Sequence, residues 1–234
     1  MITVCIPTYN GEKYIREQLD SILLQLSDED EVIISDDSST DLTVRIIESI
    51  DDGRIRLLKA NAFHNPIYNM ENALKNAKGD YIFMADQDDV WLPNKVSIMQ
   101  TVLKDYTCVV SDCIIVDSEK KVLRETMLNG DCSVYPLKNI LWNRYMGCTM
   151  AFRRELLDYA LPFPKHIDMH DSWLGNVSNI FFSTKLIPDK LILYRRHGTN
   201  VSQTSEKSNR SFINRLLGRF YMFYYIIRLY LVKK

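Results

Sequence analysis

Residues 79–93 read GDYIFMADQDDVWLP, and this stretch decides the fold class. The five apolar residues 81–85 predict a buried β-strand. Helical spacing of the apolar residues in 70–77 predicts a helix before the strand, closed by Gly79. Pro93 suits the first turn of another helix after it. A buried strand between two helices is typical of an α/β protein.

The same alternation continues in both directions along the chain. Further strands are predicted at 2–7, 31–35, 54–59, 107–116, 148–152 and 191–195. Further helices are predicted after Glu12, after a cap at Thr40 or Asp41, at 136–141 and at 170–180. Together these elements predict a Rossmann-like α/β/α sandwich with a mostly parallel central sheet. We expect one domain at 1–205, followed by a helical tail at 206–234.

The composition is that of a globular protein with an uneven charge. Of 234 residues, 46% are hydrophobic and 25% charged, which excludes a disordered chain. The net charge of -1 argues against a nucleic-acid partner. Residues 206–234 carry a formal charge of +6, whereas residues 1–205 carry -7. An acidic body with a basic tail indicates two different partners.

The five cysteines indicate a reducing compartment. They are scattered, with no CxxC pair that would indicate a zinc or redox site. Met1 leads directly into a strand-like run, without the basic and apolar regions of a signal peptide. We therefore expect a cytoplasmic protein, peripheral on the inner face of the cell membrane if the tail binds lipid.

Polar turns follow three of the predicted strands. They are residues 7–11 (PTYNG), 36–39 (DDSS) and 86–89 (DQDD). Ligands of open α/β sheets bind at the carboxyl ends of the strands. Asp86 and Asp88 there place two carboxylates together, which suits Mg²⁺ or Mn²⁺ with a diphosphate. The alternative is a solvated turn with an aspartate that caps the next helix.

Several other nucleotide and metal motifs are absent. The sequence contains no GxG, no GKS or GKT and no HExxH. This excludes the dinucleotide fingerprint, the P-loop and the zinc-protease helix.

Six stretches in order resemble glycosyltransferase family 2, whose members are inverting, nucleotide-sugar-dependent enzymes with the GT-A fold. They are 4–11 (VCIPTYNG), 34–41 (ISDDSSTD), 79–93, 147–152 (GCTMAF), 170–173 (HDSW) and 194–202 (YRRHGTNVS). The resemblance covers about residues 1–202. The forms DQDDVW, HDxW and YRxH resemble the branch that builds bacterial O-antigen, capsule and other surface polysaccharides, where rhamnosyl-, galactosyl- and glucosyltransferases are common.

The resemblance implies a donor site for a UDP- or dTDP-sugar. Its residues would be Pro7, Thr8, Tyr9, Asp36, Asp37, Asp86, Gln87, Asp89 and Arg195. In this site Asp37 would accept a hydrogen bond from N3–H of the base, and Asp36 would support the same turn. Asp86 would face the ribose or the water shell of the metal. Asp89 would hold the loop or contact the donor sugar.

The same resemblance implies the reaction chemistry. Asp88 would bind Mg²⁺ or Mn²⁺, and His197 would coordinate the metal or hydrogen-bond the diphosphate. Asp171 would be the catalytic base that removes the proton from an acceptor hydroxyl on a glycan, which we expect to be lipid-linked. For single residues the alternatives are an ordinary helix cap at Asp171, a surface histidine at His197 and a solvated strand-end charge at Arg195.

Two other functions compete with glycosyl transfer. A phosphohydrolase of the haloacid-dehalogenase type also uses DxD after a buried strand, but after its first strand, and three strands precede it here. A nucleotide-sugar-binding subunit without catalytic activity is the second alternative, although Asp88 and Asp171 are both present.

The tail has two interpretations. Residues 216–232 are almost all apolar or aromatic but contain Arg219 and Arg228, and they are fewer than the roughly 20 apolar residues of a spanning helix. Basic residues among aromatic ones are typical of an interfacial anchor on an anionic membrane surface. The nine-residue separation puts the two arginines on opposite helix faces, which favours instead a helix packed on the body or a dimer contact.

Overall fold

A computed structural model describes residues 1–141, 143–198 and 212–233. The strands are β1 (Ile2–Thr8), β2 (Glu31–Asp36), β3 (Ile55–Leu58), β4 (Tyr81–Met84), β5 (Val90–Trp91), β6 (Cys108–Val116), β7 (Val122–Arg124), β8 (Met150–Arg153) and β9 (Thr184–Arg195). The helices are α1 (Ile15–Leu23), α2 (Thr43–Glu48), α3 (Pro66–Asn76), α4 (Lys95–Val102), α5 (Pro136–Leu141), α6 (Leu157–Ala160), α7 (His170–Phe181) and α8 (Phe212–Lys233). The predicted boundary at 205/206 and residues 199–202 of the last motif lie outside the described residues.

The described strands form one sheet in the order β3-β2-β1-β4-β8-β6-β9-β5, with β7 beside β6. Strands β1, β2, β3, β4, β6 and β9 run in one direction, whereas β5, β7 and β8 run against them. Helices lie on both faces of the sheet. The α/β/α sandwich with a mostly parallel sheet, predicted from the sequence, is therefore confirmed.

Two hydrophobic clusters, one on each face of the sheet, hold the layers together. On one face, α1, α2 and α4 contribute apolar side chains such as Leu19, Ile47 and Met99. On the other face, α3, α7 and α8 contribute side chains such as Met70 and Trp173. Because both faces are covered, the carboxyl ends of β1, β2 and β4 are the part of the parallel sheet left open for a site.

Several predicted boundaries were wrong. The helix expected from Pro93 begins at Lys95, because Asn94 between them has a left-handed backbone with φ of 68°. The strand expected at 148–152 begins at Met150, because Gly147–Thr149 form a 3-10 turn. Strand β9 is seven residues longer at its start than the predicted 191–195, and the short strands β5 and β7 were missed.

The tail helix α8 packs on the body with one face. Met222 and Ile226 are buried in the cluster around Trp173, and the rings of His166 and Tyr221 stack at 5.0 Å. The Asp168 carboxylate lies so close to Gly218 that a side chain there would collide with it. In the described part of the chain, no helix has the length and hydropathy needed to cross a membrane.

Candidate active site

The loops after β1, β2 and β4 surround one cavity of about 980 Å³, together with the start of α7 and the end of β9. Nine of the predicted site residues line it: Pro7, Thr8, Tyr9, Asp37, Asp86, Gln87, Asp88, Asp171 and His197. Residues more than 160 positions apart in the sequence are thus brought into one wall. Three predicted donor-site residues, Asp36, Asp89 and Arg195, are not part of this lining.

Asp37 holds the loop after β3. Its Oδ1 accepts a hydrogen bond from Phe63 N–H at 2.6 Å, and its Oδ2 accepts one from Asn65 N–H at 3.1 Å. Its own N–H donates to the Thr8 carbonyl at 2.9 Å, which ties the β2 turn to the end of β1. Each carboxylate oxygen keeps a second lone pair, so Asp37 still offers acceptors to a ligand in the cavity.

Asp36 supports the same turn from inside. Its carboxylate is buried and accepts hydrogen bonds from the Thr8 hydroxyl at 3.0 Å and from the Ser39 hydroxyl and N–H at 2.6 and 2.9 Å. These donors all come from the protein. The structure thus places Asp36 behind the cavity wall, in the supporting position that the sequence analysis also named.

Gln87 fixes the loop after β1 to the loop after β4. Its side-chain oxygen accepts from Tyr9 N–H at 2.9 Å, and its side-chain nitrogen donates to the Tyr9 carbonyl at 3.0 Å. A Cβ on Gly11 would overlap the Gln87 amide, so a larger residue there would displace this amide from Tyr9. The paired amide sets the distance between the two loops.

Asp88 and His197 form a close pair on the cavity wall. His197 Nε2 lies 2.8 Å from Asp88 Oδ2, and the His197 ring stacks on Tyr14 with 4.9 Å between ring centres. A carboxylate oxygen is a ligand of Mg²⁺ and Mn²⁺, and an imidazole nitrogen is a common ligand of divalent transition-metal ions. The donor set thus fits a divalent cation.

The carboxylates around this pair repel one another. Burial first, and then the neighbouring Asp88 and Asp171 carboxylates, raise the pKa of Asp86 to about 7. Burial followed by Asp88 and Asp86 also raises the pKa of Asp89 well above its usual range. Such crowding favours the binding of a cation, because a divalent ion offsets several negative charges at once.

Arg195 and Asp89 lie behind the 86–89 loop. The Arg195 side chain is 2% exposed and donates to the Asp88 carbonyl at 2.8 Å and to the Glu17 carboxylate. Its backbone N–H donates to Asp89 Oδ1 at 2.9 Å. Both residues therefore attach β9 to the 86–89 loop. Neither residue lines the cavity where a donor contact was expected. Asp89 instead lies where it can hold the loop, the other role expected of it. The buried Arg195 is not the solvated charge of the alternative.

Asp171 lies in the first turn of α7. Its Oδ2 accepts from Gly147 N–H at 3.3 Å, and its Oδ1 accepts from Ser172 N–H at 2.6 Å. Burial raises the pKa of Asp171 to about 6, while these N–H groups hold it lower than burial alone would. The N-cap of α7 is Met169, so the interpretation of Asp171 as an ordinary N-cap is wrong.

Further residues of the site, Tyr14 and His170, were not among the predicted site residues. The Tyr14 ring stacks on the His197 ring, and the Arg195 guanidinium lies 4.6 Å from the centre of the Tyr14 ring. His170 lines the cavity, and burial lowers its pKa to about 4, so the ring is neutral at pH 7. Tyr14 follows the PTYNG turn by three residues, which is the one local signal that could have indicated it.

Comparison with known proteins identifies the family. The family model described as "Glycosyl transferase family 2" matches residues 3–175, which include the three strand-end loops and Asp171. The chain belongs to this family. The resemblance drawn from its sequence is confirmed, and the haloacid-dehalogenase alternative is wrong.

Three similar proteins illustrate the range of the family. The chain is 30% identical to an uncharacterised glycosyltransferase of Rickettsia prowazekii over 88% of its length and 67% of the relative's. It is 32% identical to the GalNAc(5)-diNAcBac-PP-undecaprenol beta-1,3-glucosyltransferase of Campylobacter jejuni over 67% of its length and 53% of the relative's. The structure of S. aureus TarS in complex with UDP-GlcNAc superposes with a TM-score of 0.71 and 21% identity, over 88% of this chain and 61% of TarS. The likeness to TarS, like the fold itself, shows the GT-A architecture.

Proposed function

We propose that this family 2 glycosyltransferase moves a hexosyl or rhamnosyl residue from a UDP- or dTDP-sugar to a hydroxyl of a lipid-linked glycan. The reaction is a step in the synthesis of a bacterial surface polysaccharide such as O-antigen or capsule. The observation that carries the proposal is that Asp37, the Asp88–His197 pair and Asp171 line one cavity. The lipid-linked substrate named for the Campylobacter relative and the UDP-sugar in TarS support the acceptor and donor classes.

The nucleotide lies at the ends of β1 and β2. A uracil or thymine base presents an N3–H donor, and the carboxylate of Asp37 on the cavity wall is an acceptor. Thr8 and Tyr9 form the floor and rim beside it, and Asp86 faces the ribose. Asp36 acts indirectly, because its hydrogen bonds keep the 36–39 turn in place.

Asp88 and His197 would hold a divalent cation. Mg²⁺ or Mn²⁺ bound there would offset the negative charge that gathers on the leaving nucleoside diphosphate, without a proton. The stacked Tyr14 ring keeps the His197 imidazole in its orientation. Arg195 keeps Asp88 in place through the main chain of the loop.

Asp171 accepts the proton of the acceptor hydroxyl. A base with a pKa of about 6 is mostly ionised at pH 7 and still basic enough to assist the attack. The hydroxyl oxygen bonds to the anomeric carbon as the diphosphate leaves from the other side, so the configuration at that carbon inverts. Gly147 N–H orients the Asp171 carboxylate for this role.

The tail brings the enzyme to its lipid-linked acceptor. Opposite its buried face, α8 carries a row of apolar side chains, which we call the α8 stripe: Leu216, Leu217, Phe220, Tyr224, Ile227 and Leu231. These side chains are between 47% and 73% exposed. At 100° per residue, Arg219 and Arg228 lie on either side of the stripe. An apolar row flanked by cations, in a segment with a charge of +6, matches an anionic lipid surface.

The proposal is tested by a thermal-shift screen of nucleotide sugars with and without Mn²⁺, followed by transfer to a polyprenyl-diphosphate-linked sugar. We expect one UDP- or dTDP-sugar to raise the Tm more in the presence of Mn²⁺ than in its absence. The same sugar should give a lengthened lipid-linked product. A non-catalytic subunit would show the same shift with no product. Absence of any shift with all nucleotide sugars would overturn the donor assignment.

A further inference from the structure

A lysine is enclosed beneath the loops of the site. Lys95, the first residue of α4, is 0% exposed, although lysine is almost never fully buried unless it is paired. Its Nζ donates to the Cys148 carbonyl oxygen at 3.1 Å and lies 5.1 Å from the centre of the Trp91 ring. Burial lowers the pKa of Lys95 to about 8, against the attraction of the groups that face it, Cys148, Asp89 and Cys113.

The hydrogen bond of Lys95 connects it indirectly to Asp171, through the turn that contains Cys148 and Gly147. Cys148 is the middle residue of the 3-10 turn Gly147–Thr149, and the turn is closed by Thr149, which donates its N–H and hydroxyl to the Met146 carbonyl. The residue before Cys148, Gly147, donates its N–H to Asp171 Oδ2. A charged donor on the Cys148 carbonyl holds this short turn in place, and the Gly147 N–H belongs to the same turn.

We propose that Lys95 is a positioning residue that holds the Gly147–Thr149 turn against Asp171. The inference rests on the proposed function, because it assigns Lys95 a part in the same site. Lys95 does not line the cavity, so it acts through the turn that carries Gly147.

The consequence is measurable at Asp171. The groups that face this carboxyl are Gly147 N–H, Ser172 N–H and the Asp86 carboxyl, with the neutral His170 ring beside it. Both N–H groups hold the pKa of Asp171 lower than burial alone would. If Lys95 no longer fixes the turn, the Gly147 hydrogen bond weakens and the pKa of Asp171 rises.

The test compares Lys95→Met and Lys95→Gln, which remove the charge, with Lys95→Arg, which keeps a charge and N–H donors. Val96→Ala is the control, because it removes packing from the same helix and no charge. The first readout is the titration of the Asp171 carboxyl by ¹³C NMR in metal-free protein, with the signal assigned from Asp171→Asn. The second readout compares the change in kcat with the change in the Kd for UDP in each variant.

We expect Lys95→Met and Lys95→Gln to raise the pKa of Asp171 by roughly 0.5 to 1 unit. Their kcat should fall roughly 10- to 100-fold, as for a small misplacement of a catalytic group, with the UDP Kd little changed. In Lys95→Arg the pKa of Asp171 and kcat should both lie close to those of the unaltered protein. Val96→Ala should lower only the Tm.

An unmoved Asp171 titration in folded uncharged variants would overturn the proposal. So would failure of both uncharged variants to fold while Lys95→Arg folds, since Lys95 would then serve the fold and not the site. The NMR readout needs no turnover, so this outcome is separate from failure of the proposed function, which would appear as absence of sugar transfer by the unaltered protein.

Discussion

His197 Nε2 lies 2.8 Å from Asp88 Oδ2, a contact between residues 109 positions apart in the chain. Asp88 follows the central strand β4, whereas His197 follows β9, which joins the sheet on the far side of β8 and β6. Arg195, two residues before His197, donates to the Asp88 carbonyl and so anchors the end of β9 to the same loop. The contact between Asp88 and His197 therefore depends on the correct pairing of the whole second half of the sheet.

Asp88→Asn should remove metal-dependent donor binding. The amide is close in size to the carboxylate, but it lacks the negative charge that holds a divalent cation, so UDP affinity in the presence of Mn²⁺ should fall by roughly 100-fold. Calorimetric titration of UDP with and without Mn²⁺ measures this loss. Asp28→Asn, at an exposed carboxylate outside the site, is the control. Unchanged UDP binding with Mn²⁺, or full transfer in the presence of EDTA, would contradict the metal role.

Asp37→Ala should weaken the binding of free UDP or dTDP even without metal. Loss of a hydrogen bond to a charged acceptor reduces affinity roughly tenfold or more, and the loop bonded through Phe63 and Asn65 N–H loosens as well. The adjacent Asp36→Asn should behave differently and mainly lower the Tm, because its carboxylate accepts only from protein donors. Equal nucleotide affinity in Asp37→Ala and the unaltered protein would remove Asp37 from the site.

The strand-end parts of the site were predictable from the sequence. The apolar runs before Pro7, Asp36 and Asp86 are local signals of buried strands, and parallel strands bring their carboxyl ends to one edge of the sheet. The fold class follows from the same alternation of strands and helices. The family resemblance added Asp171 and His197, which lie in the cavity wall.

The parts of the site that were not predictable depend on non-local contacts. Whether Arg195 faces a ligand or the back of a loop is decided by the pairing of β9 with β5 and β6, which no local pattern encodes. The inward direction of Asp89 has the same origin, since it accepts from the Arg195 N–H. The buried position of Lys95 likewise involves a distant residue, since its Nζ donates to the carbonyl of Cys148, 53 positions away.

Asp171→Asn should separate catalysis from binding. A general base contributes about 10²- to 10⁴-fold to the rate, so kcat should fall by that factor while the Kd values for donor and Mn²⁺ stay close to those of the unaltered protein. The Tm should change little, because asparagine keeps the size of the side chain and an acceptor for Gly147 N–H. Single-turnover transfer and donor titration on one preparation measure both quantities. A near-normal kcat per folded molecule would exclude Asp171 as the base.

The pH dependence of transfer should report the ionisation of Asp171. The base acts only when ionised, and its pKa is raised to about 6 by burial, so kcat should be constant above that pH and fall about tenfold per pH unit below it. The measurement is kcat at saturating donor and Mn²⁺ between pH 4.5 and 8, a range of about four units chosen around that pKa. The residual activity of Asp171→Asn should lack this acidic limb. An identical limb in the variant would assign it to another group.

Serine substitutions in the α8 stripe should release the protein from anionic membranes. Deletion of the whole tail is a poor test, because it would also uncover the core cluster that Met222 and Ile226 fill. Phe220→Ser, Ile227→Ser and Leu231→Ser together alter only exposed positions, and removing three apolar side chains should lower partitioning into phosphatidylglycerol liposomes by about tenfold or more. Val122→Ser with Leu123→Ser, at exposed apolar positions on β7, is the matched control and should sediment with liposomes as the unaltered protein does.

Raised salt should weaken binding of the unaltered protein, since salt screens the charges of the flanking Arg219 and Arg228. Equal sedimentation of the stripe and control variants would instead assign the stripe to a contact with protein.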